Sequence, residues 1–129
     1  MQTFERIRQF GKWGGRLAAV LIALLWGAFL VEHLREWFLS PNGLHPPTFV
    51  WIGQALHFCM VAGFVLMVKW ERAGTILALV FSIAFFGFIS RSISRVPAFA
   101  LMNLIPSLLF CLYWFVPAER RNSLTQRGV

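Results

Sequence analysis

The residues with chemical potential are few and sit among apolar neighbours. Glu32, His33, Arg35 and Glu36 crowd the end of the run "FLVEHLREWF", and His57 and Gln54 interrupt the next apolar run. Arg91 and Arg95 close a third run, and Asn103 lies inside a fourth. Imidazole and carboxylate together suit several divalent ions, and Glu32 with Glu36 is an i, i+4 pair able to chelate. The pattern "EHLRE" is E-H-x-x-E, however, and offers neither HExxH nor paired ExxH. Two histidines on facing helices would suit a b-type haem, and His33 with His57 is the available pair. Helical rise puts them about 7 Å apart in depth, which is poor for one haem plane. No haem or metal is therefore expected. Hydrolase and ATP chemistry find no support: G-x-S-x-G, a P-loop, G-x-G-x-x-G and any aspartate are all missing. A membrane carboxyl such as Glu32 could serve proton-coupled transport, provided several copies assembled a pathway.

The elements that carry these residues follow from composition. The chain of 129 residues is 58% hydrophobic and 13% charged, above the roughly 45–50% apolar share of soluble domains. A single domain of this size has too little interior to hide that surface. About 20 residues at 1.5 Å each cross about 30 Å of hydrocarbon, and four segments qualify, spanning about 16–38, 48–68, 74–94 and 97–116. The expectation is an all-α, four-transmembrane-helix bundle formed by one integral membrane domain. Turn chemistry separates the spans: "SPNGLHPP", then "KWERAG" with Gly74 permitting a tight turn, then "SRVP". The N-terminal apolar run is too long for a signal-peptide core and lacks a small-x-small cleavage pattern, so it reads as a retained first span. The preceding "MQTFERIRQFGKWGG" reads either as an interfacial helix that turns into that span or as a frayed tail.

The net charge of +7 sits at the ends of apolar runs, which argues for topology and lipid headgroups rather than nucleic acid. Arg6, Arg8, Lys12, Arg16, Lys69, Arg72, Arg120, Arg121 and Arg127 fall on one side of the membrane and Arg35, Arg91 and Arg95 on the other, nine against three. Both termini are expected in the cytoplasm of a bacterial inner-membrane protein. Trp13, Trp70 and Trp114 then mark the inner interface, and Trp37 and Trp51 the outer one. Cys59 and Cys111 lie within apolar runs and read as small buried hydrophobes rather than a disulfide.

Depth and helical phase gather the polar residues into one layer in the outer half. Glu32, His33 and Glu36 share an arc of about 100°. Gly53, Gln54, His57 and Phe64 form a stripe on the second span, Gly87, Arg91, Ser94 and Arg95 on the third, and Asn103, Pro106, Ser107 and Phe110 on the fourth. Charges facing lipid at a helix centre cost roughly 2.5–3.5 kcal/mol by insertion scales, so these faces should converge, with Glu32 and Glu36 pairing with Arg91 and Arg95. Such a network either fixes helix docking or lines a ligand site.

With "WGAFLVEHLREWF", "HFCMVAGFVLMVKWERAGTIL" and "NLIPSLLFCLYW" placed, the chain resembles an uncharacterised family of small four-helix bacterial membrane proteins over about residues 16–117. The resemblance rests on the acidic end of the first span, the inner-loop motif Lys69 to Gly74 and Pro106. It implies fold and location and carries no activity. Taken together, the residues point to a non-enzymatic accessory or assembly subunit docking against other membrane helices or its own copies. The alternatives are an outer-half site for a quinone, lipid, haem or ion, and a proton-coupled oligomeric transporter.

Overall fold

The computed structural model describes residues 2–39, 45–90 and 96–116. Helix α1 runs Gln2–Phe38, α2 Thr48–Lys69, α3 Glu71–Ile89 and α4 Val96–Phe115, and the described residues form no strand. Each helix is long and apolar enough to cross a membrane, the architecture of a multi-pass membrane protein. The helices close a ring in which α1 packs on α2 and α4, and α3 packs on α2 and α4. Consecutive helices reverse direction, so the start of α1, the α2–α3 turn and the end of α4 share one end. We call this the basic end, and the opposite one the aromatic end.

The first helix departs from expectation. It is continuous through Gly11, Gly14 and Gly15, so the N-terminal segment neither frays nor turns at an interface. At 37 residues it is about 55 Å long, well beyond the hydrocarbon thickness. Gly11 explains why this stretch stays attached to the bundle. A Cβ there would come 2.7 Å from the Leu109 carbonyl oxygen of α4, so only glycine lets the two backbones meet.

The α2–α3 turn also differs from expectation. Trp70 alone leaves the helical conformation, with φ −114° and ψ 74°. Its N–H donates to the Leu66 carbonyl and its carbonyl accepts from Gly74 N–H. Gly74 lies inside α3 rather than in the turn, pressed against the Met67 backbone of α2. Farther along the same seam, a Cβ on Gly63 would come 2.6 Å from Ala78 N. Glycines thus set the closest helix pair.

Buried positions follow helical spacing. On α1 they are Gly11, Gly15, Ala19, Ile22, Trp26 and Leu30; on α2, His57, Met60, Gly63, Phe64 and Met67 stand out. On α4, Asn103, Pro106, Ser107 and Phe110 are all buried. On α3 the buried set is Gly74, Thr75, Ala78, Ser82, Phe85 and Phe86. Gly87, expected on the inner face, is exposed, and a Cβ there would meet nothing within 4 Å. The outside is as greasy as the inside: Leu24, Ile83 and Leu108 are all more than 60% exposed. A soluble bundle would place charge there. Apolar exposure on every helix matches a surface solvated by lipid.

Candidate functional site

The centre of the bundle is a polar layer built around one amide. Asn103 on α4, 1% exposed, accepts at Oδ1 from Trp26 Nε1 of α1 at 2.7 Å. Its Nδ2 donates to Ser82 Oγ of α3 at 3.2 Å and to Met60 Sδ of α2 at 3.3 Å. One side chain therefore touches all three other helices. Hydrocarbon offers an amide no partner, so the geometry ties helix register to this contact.

Toward the aromatic end the layer opens into a pocket of about 380 Å³. The α1 seam continues into it, because Trp26, His33 and Trp37 are spaced by seven and four residues and fall in phase. From α2 come Phe49, Gly53, Gln54 and His57, and from α3 Phe85, Phe86 and Phe88, with Phe99 of α4 closing one wall. The lining is mainly aromatic. Trp26 alone contacts Phe29, Phe85, Phe86 and Phe99 with ring centroids 5.5–6.2 Å apart.

Two polar side chains of α2, Gln54 and His57, interrupt that lining. His57 is 3% exposed and its ring stacks on Phe85 at 4.8 Å and meets the edge of Trp26 at 5.5 Å. Its Nε2 and the Oε1 of Gln54 are both buried, with no hydrogen-bond partner among the described residues. Gln54 and His57 are three apart on α2, neighbours on one face. The two residues bring to the pocket wall an amide and an imidazole whose free nitrogen donates or accepts according to its tautomer.

His33 stands at the rim, with its Nδ1 2.8 Å from the Phe29 carbonyl. Its ring centroid is 6.4 Å from that of His57, the planes 81° apart. The depth offset read from residue counts misses this meeting for a physical reason. Side chains lean toward the N-terminus of their own helix, and α1 and α2 run in opposite directions, so the two imidazoles lean toward each other.

The carboxylates go elsewhere. Glu32 is exposed, and its Oε2 lies 3.6 Å from Arg35 Nη1 on the same helix, with both side chains more than 65% exposed. Glu36 is exposed as well. Counting from Leu30, two residues rotate Glu32 by about 200°, away from the seam. The expected convergence of Glu32 and Glu36 on the interior is therefore corrected. Their expected partners, Arg91 and Arg95, lie outside the described residues. Among the described residues no group of three or more His, Cys, Asp or Glu is placed to hold a metal ion. Cys59 and Cys111 are free thiols.

The polar layer contains residues that depth and phase did not single out: Trp26, Ser82 and Met60. Trp26 carried a signal, since it is the one tryptophan far from either expected interfacial belt, and an indole N–H inside hydrocarbon needs an acceptor.

Comparison with protein-family models, with curated proteins and with solved structures finds no match to this chain. The family resemblance carried by Lys69 to Gly74 and Pro106 gains no support from them.

Proposed function

We propose that the protein is a non-enzymatic, multi-pass protein of the bacterial inner membrane that holds a small membrane-soluble ligand in the pocket at the aromatic end. The ligand class that fits is a planar ring bearing hydroxyl or carbonyl groups, a quinol or quinone. The observation that carries this reading is the pair of unpartnered buried atoms, Gln54 Oε1 and His57 Nε2, on two residues that line a mainly aromatic pocket. Leaving such groups unpaired costs about 1–3 kcal/mol each by protein mutational data, and apolar pockets with a few convergent polar groups are the usual form of ligand sites. A quinol hydroxyl would donate to Gln54, the imidazole would meet the opposite oxygen, and the aromatic walls would stack on the ring.

The positive-inside count supports both termini in the cytoplasm and the pocket in the outer half. An accessory role within a larger membrane assembly fits the same picture. Gly27 and Gly87 leave open space where a Cβ would stand, and small residues on a membrane helix let another helix approach.

A second reading, a b-type haem between His33 and His57, is favoured by one observation. The His33 and His57 ring centroids come within 6.4 Å of each other, so these two imidazoles would be the ones to hold the iron, with the Phe29 carbonyl orienting the His33 ring through Nδ1.

One purification in mild detergent tests both readings. The absorbance spectrum reports haem directly through a Soret band. Solvent extraction followed by chromatography reports quinone. The expected result is near-stoichiometric quinone, lost in the Gln54→Leu/His57→Leu double variant. A Soret band selects the second reading, and an extract free of quinone with a flat visible spectrum refutes both.

A further inference from the structure

At the opposite end of the bundle is a larger cavity, about 570 Å³, whose chemistry differs from that of the aromatic pocket. We propose that it binds a phosphate-bearing anion, supplied either as the headgroup of an acidic phospholipid or as free phosphate. Four cations from three helices line it: Arg8 and Lys12 from α1, Lys69 from the last residue of α2, and Arg72 from the start of α3. Like charges so gathered repel one another unless an anion is supplied.

The chain supplies little of one among its described residues. Glu71 is the single carboxylate in the lining, and its Oε1 is held by Arg16 Nη2 at 2.9 Å. Arg16 is not a lining residue, so that negative charge is already matched from outside the cavity. Glu5 approaches Arg8 only at 3.9 Å.

The cations are also positioned. Arg8 lies 5.1 Å and Lys12 5.6 Å from the centroid of the Tyr113 ring, so one aromatic ring steers two side chains from successive turns of α1. Cation–π contact holds both heads without neutralising them. Arginine and lysine together are the usual donors to phosphate oxygens. The position suits a headgroup, because this end carries the helix termini and Trp114, where a bilayer surface lies. The inference is independent of the aromatic pocket, since no residue is shared between the two linings.

The test is a titration of the full chain in dodecyl maltoside micelles with fluorescently labelled phosphatidylglycerol, phosphatidylcholine as control, and inorganic phosphate as competitor. Phosphatidylglycerol should bind and phosphatidylcholine should not. Each basic residue near an anionic surface contributes about fivefold, so Lys12→Gln with Lys69→Gln should weaken binding about thirtyfold. Full displacement by millimolar inorganic phosphate assigns the site to free phosphate, and no displacement assigns it to the lipid headgroup; both support an anion site. Arg72→Gln, exposed at the rim, should weaken binding about fivefold and keeps the test open where the double variant does not fold. Equal binding of the two lipids, or unchanged affinity in the variants, would overturn the proposal.

Discussion

Replacing Asn103 with leucine should be among the most damaging conservative changes in this chain, and a partner substitution should reveal why. Leucine keeps asparagine's branched skeleton but is larger, so some overpacking is added in either background and cancels in the comparison of the two. What disappears is the 2.7 Å acceptor for Trp26 Nε1 and the 3.2 Å donor to Ser82. Interhelical hydrogen bonds in membranes average about 0.6 kcal/mol and reach about 1.7. The larger cost is the buried indole N–H left without an acceptor, about 1–3 kcal/mol. Asn103→Leu should therefore lose about 2–3 kcal/mol. In a Trp26→Phe background no indole N–H remains to be orphaned, and the same change should cost only about 1 kcal/mol. The coupling of about 1–2 kcal/mol exceeds the scatter of about 0.3–0.5 expected for independent sites. Pulse proteolysis in mixed micelles measures it from surviving intact chain, so losing a fluorophore does not disturb the readout. If Asn103→Leu costs the same in both backgrounds, the hydrogen bond does not hold the layer together and the reasoning fails.

Gly63→Leu should cost about 3 kcal/mol or prevent folding, because its Cβ would lie 2.6 Å from Ala78 N and overpacking there must move backbone. Gly27→Leu should stay within about 0.5 kcal/mol of wild type, since nothing lies within 4 Å; any effect should appear in co-purifying subunits instead. The Arg16–Glu71 pair, with side chains 28% and 15% exposed, falls between surface and buried pairs, so Glu71→Gln should cost about 1–2 kcal/mol; a change below 0.3 or so in the same proteolysis assay would mean that the pair is ornamental. Glu32→Gln should leave stability and ligand content unchanged, because the carboxylate points away from the seam, and a loss of bound ligand would contradict that placement.

The four spans were legible because hydrocarbon imposes one rule, apolar length, that a sequence displays openly. Asn103 was legible for a related reason: a lone amide within an apolar run has no partner unless it faces other helices. Glu32 was not legible in this way, because charge alone does not fix an inward face. The phase of the α1 seam, from Gly11 through Leu30, carries the missing information and puts His33, not Glu32, in line with Trp26. That phase becomes readable only when Gly11 and Gly15 are recognised as contact residues, and a glycine in a sequence does not announce which backbone approaches it. The His33–His57 meeting was hidden for a different reason, since it depends on the opposed lean of side chains on antiparallel helices rather than on residue counts.

Trp26 joins the polar layer to the pocket: its N–H anchors Asn103 while its ring forms a wall of the cavity. Ligand occupancy and core stability should therefore be linked through this side chain. A ligand that binds only the folded chain stabilises it by about 2.7 kcal/mol at a hundred times its Kd. Adding quinone to the stripped wild-type protein should raise resistance to unfolding by roughly that amount. In Asn103→Leu the indole loses its anchor, so the ligand-induced gain should shrink even though no pocket-lining residue has changed. Met67→Ala supplies the contrast, because Met67 is fully buried but lines none of the aromatic pocket; it should lower stability while leaving the ligand-induced gain intact. Should both variants keep the full gain, the layer and the pocket are energetically separate, and Trp26 serves each of them independently.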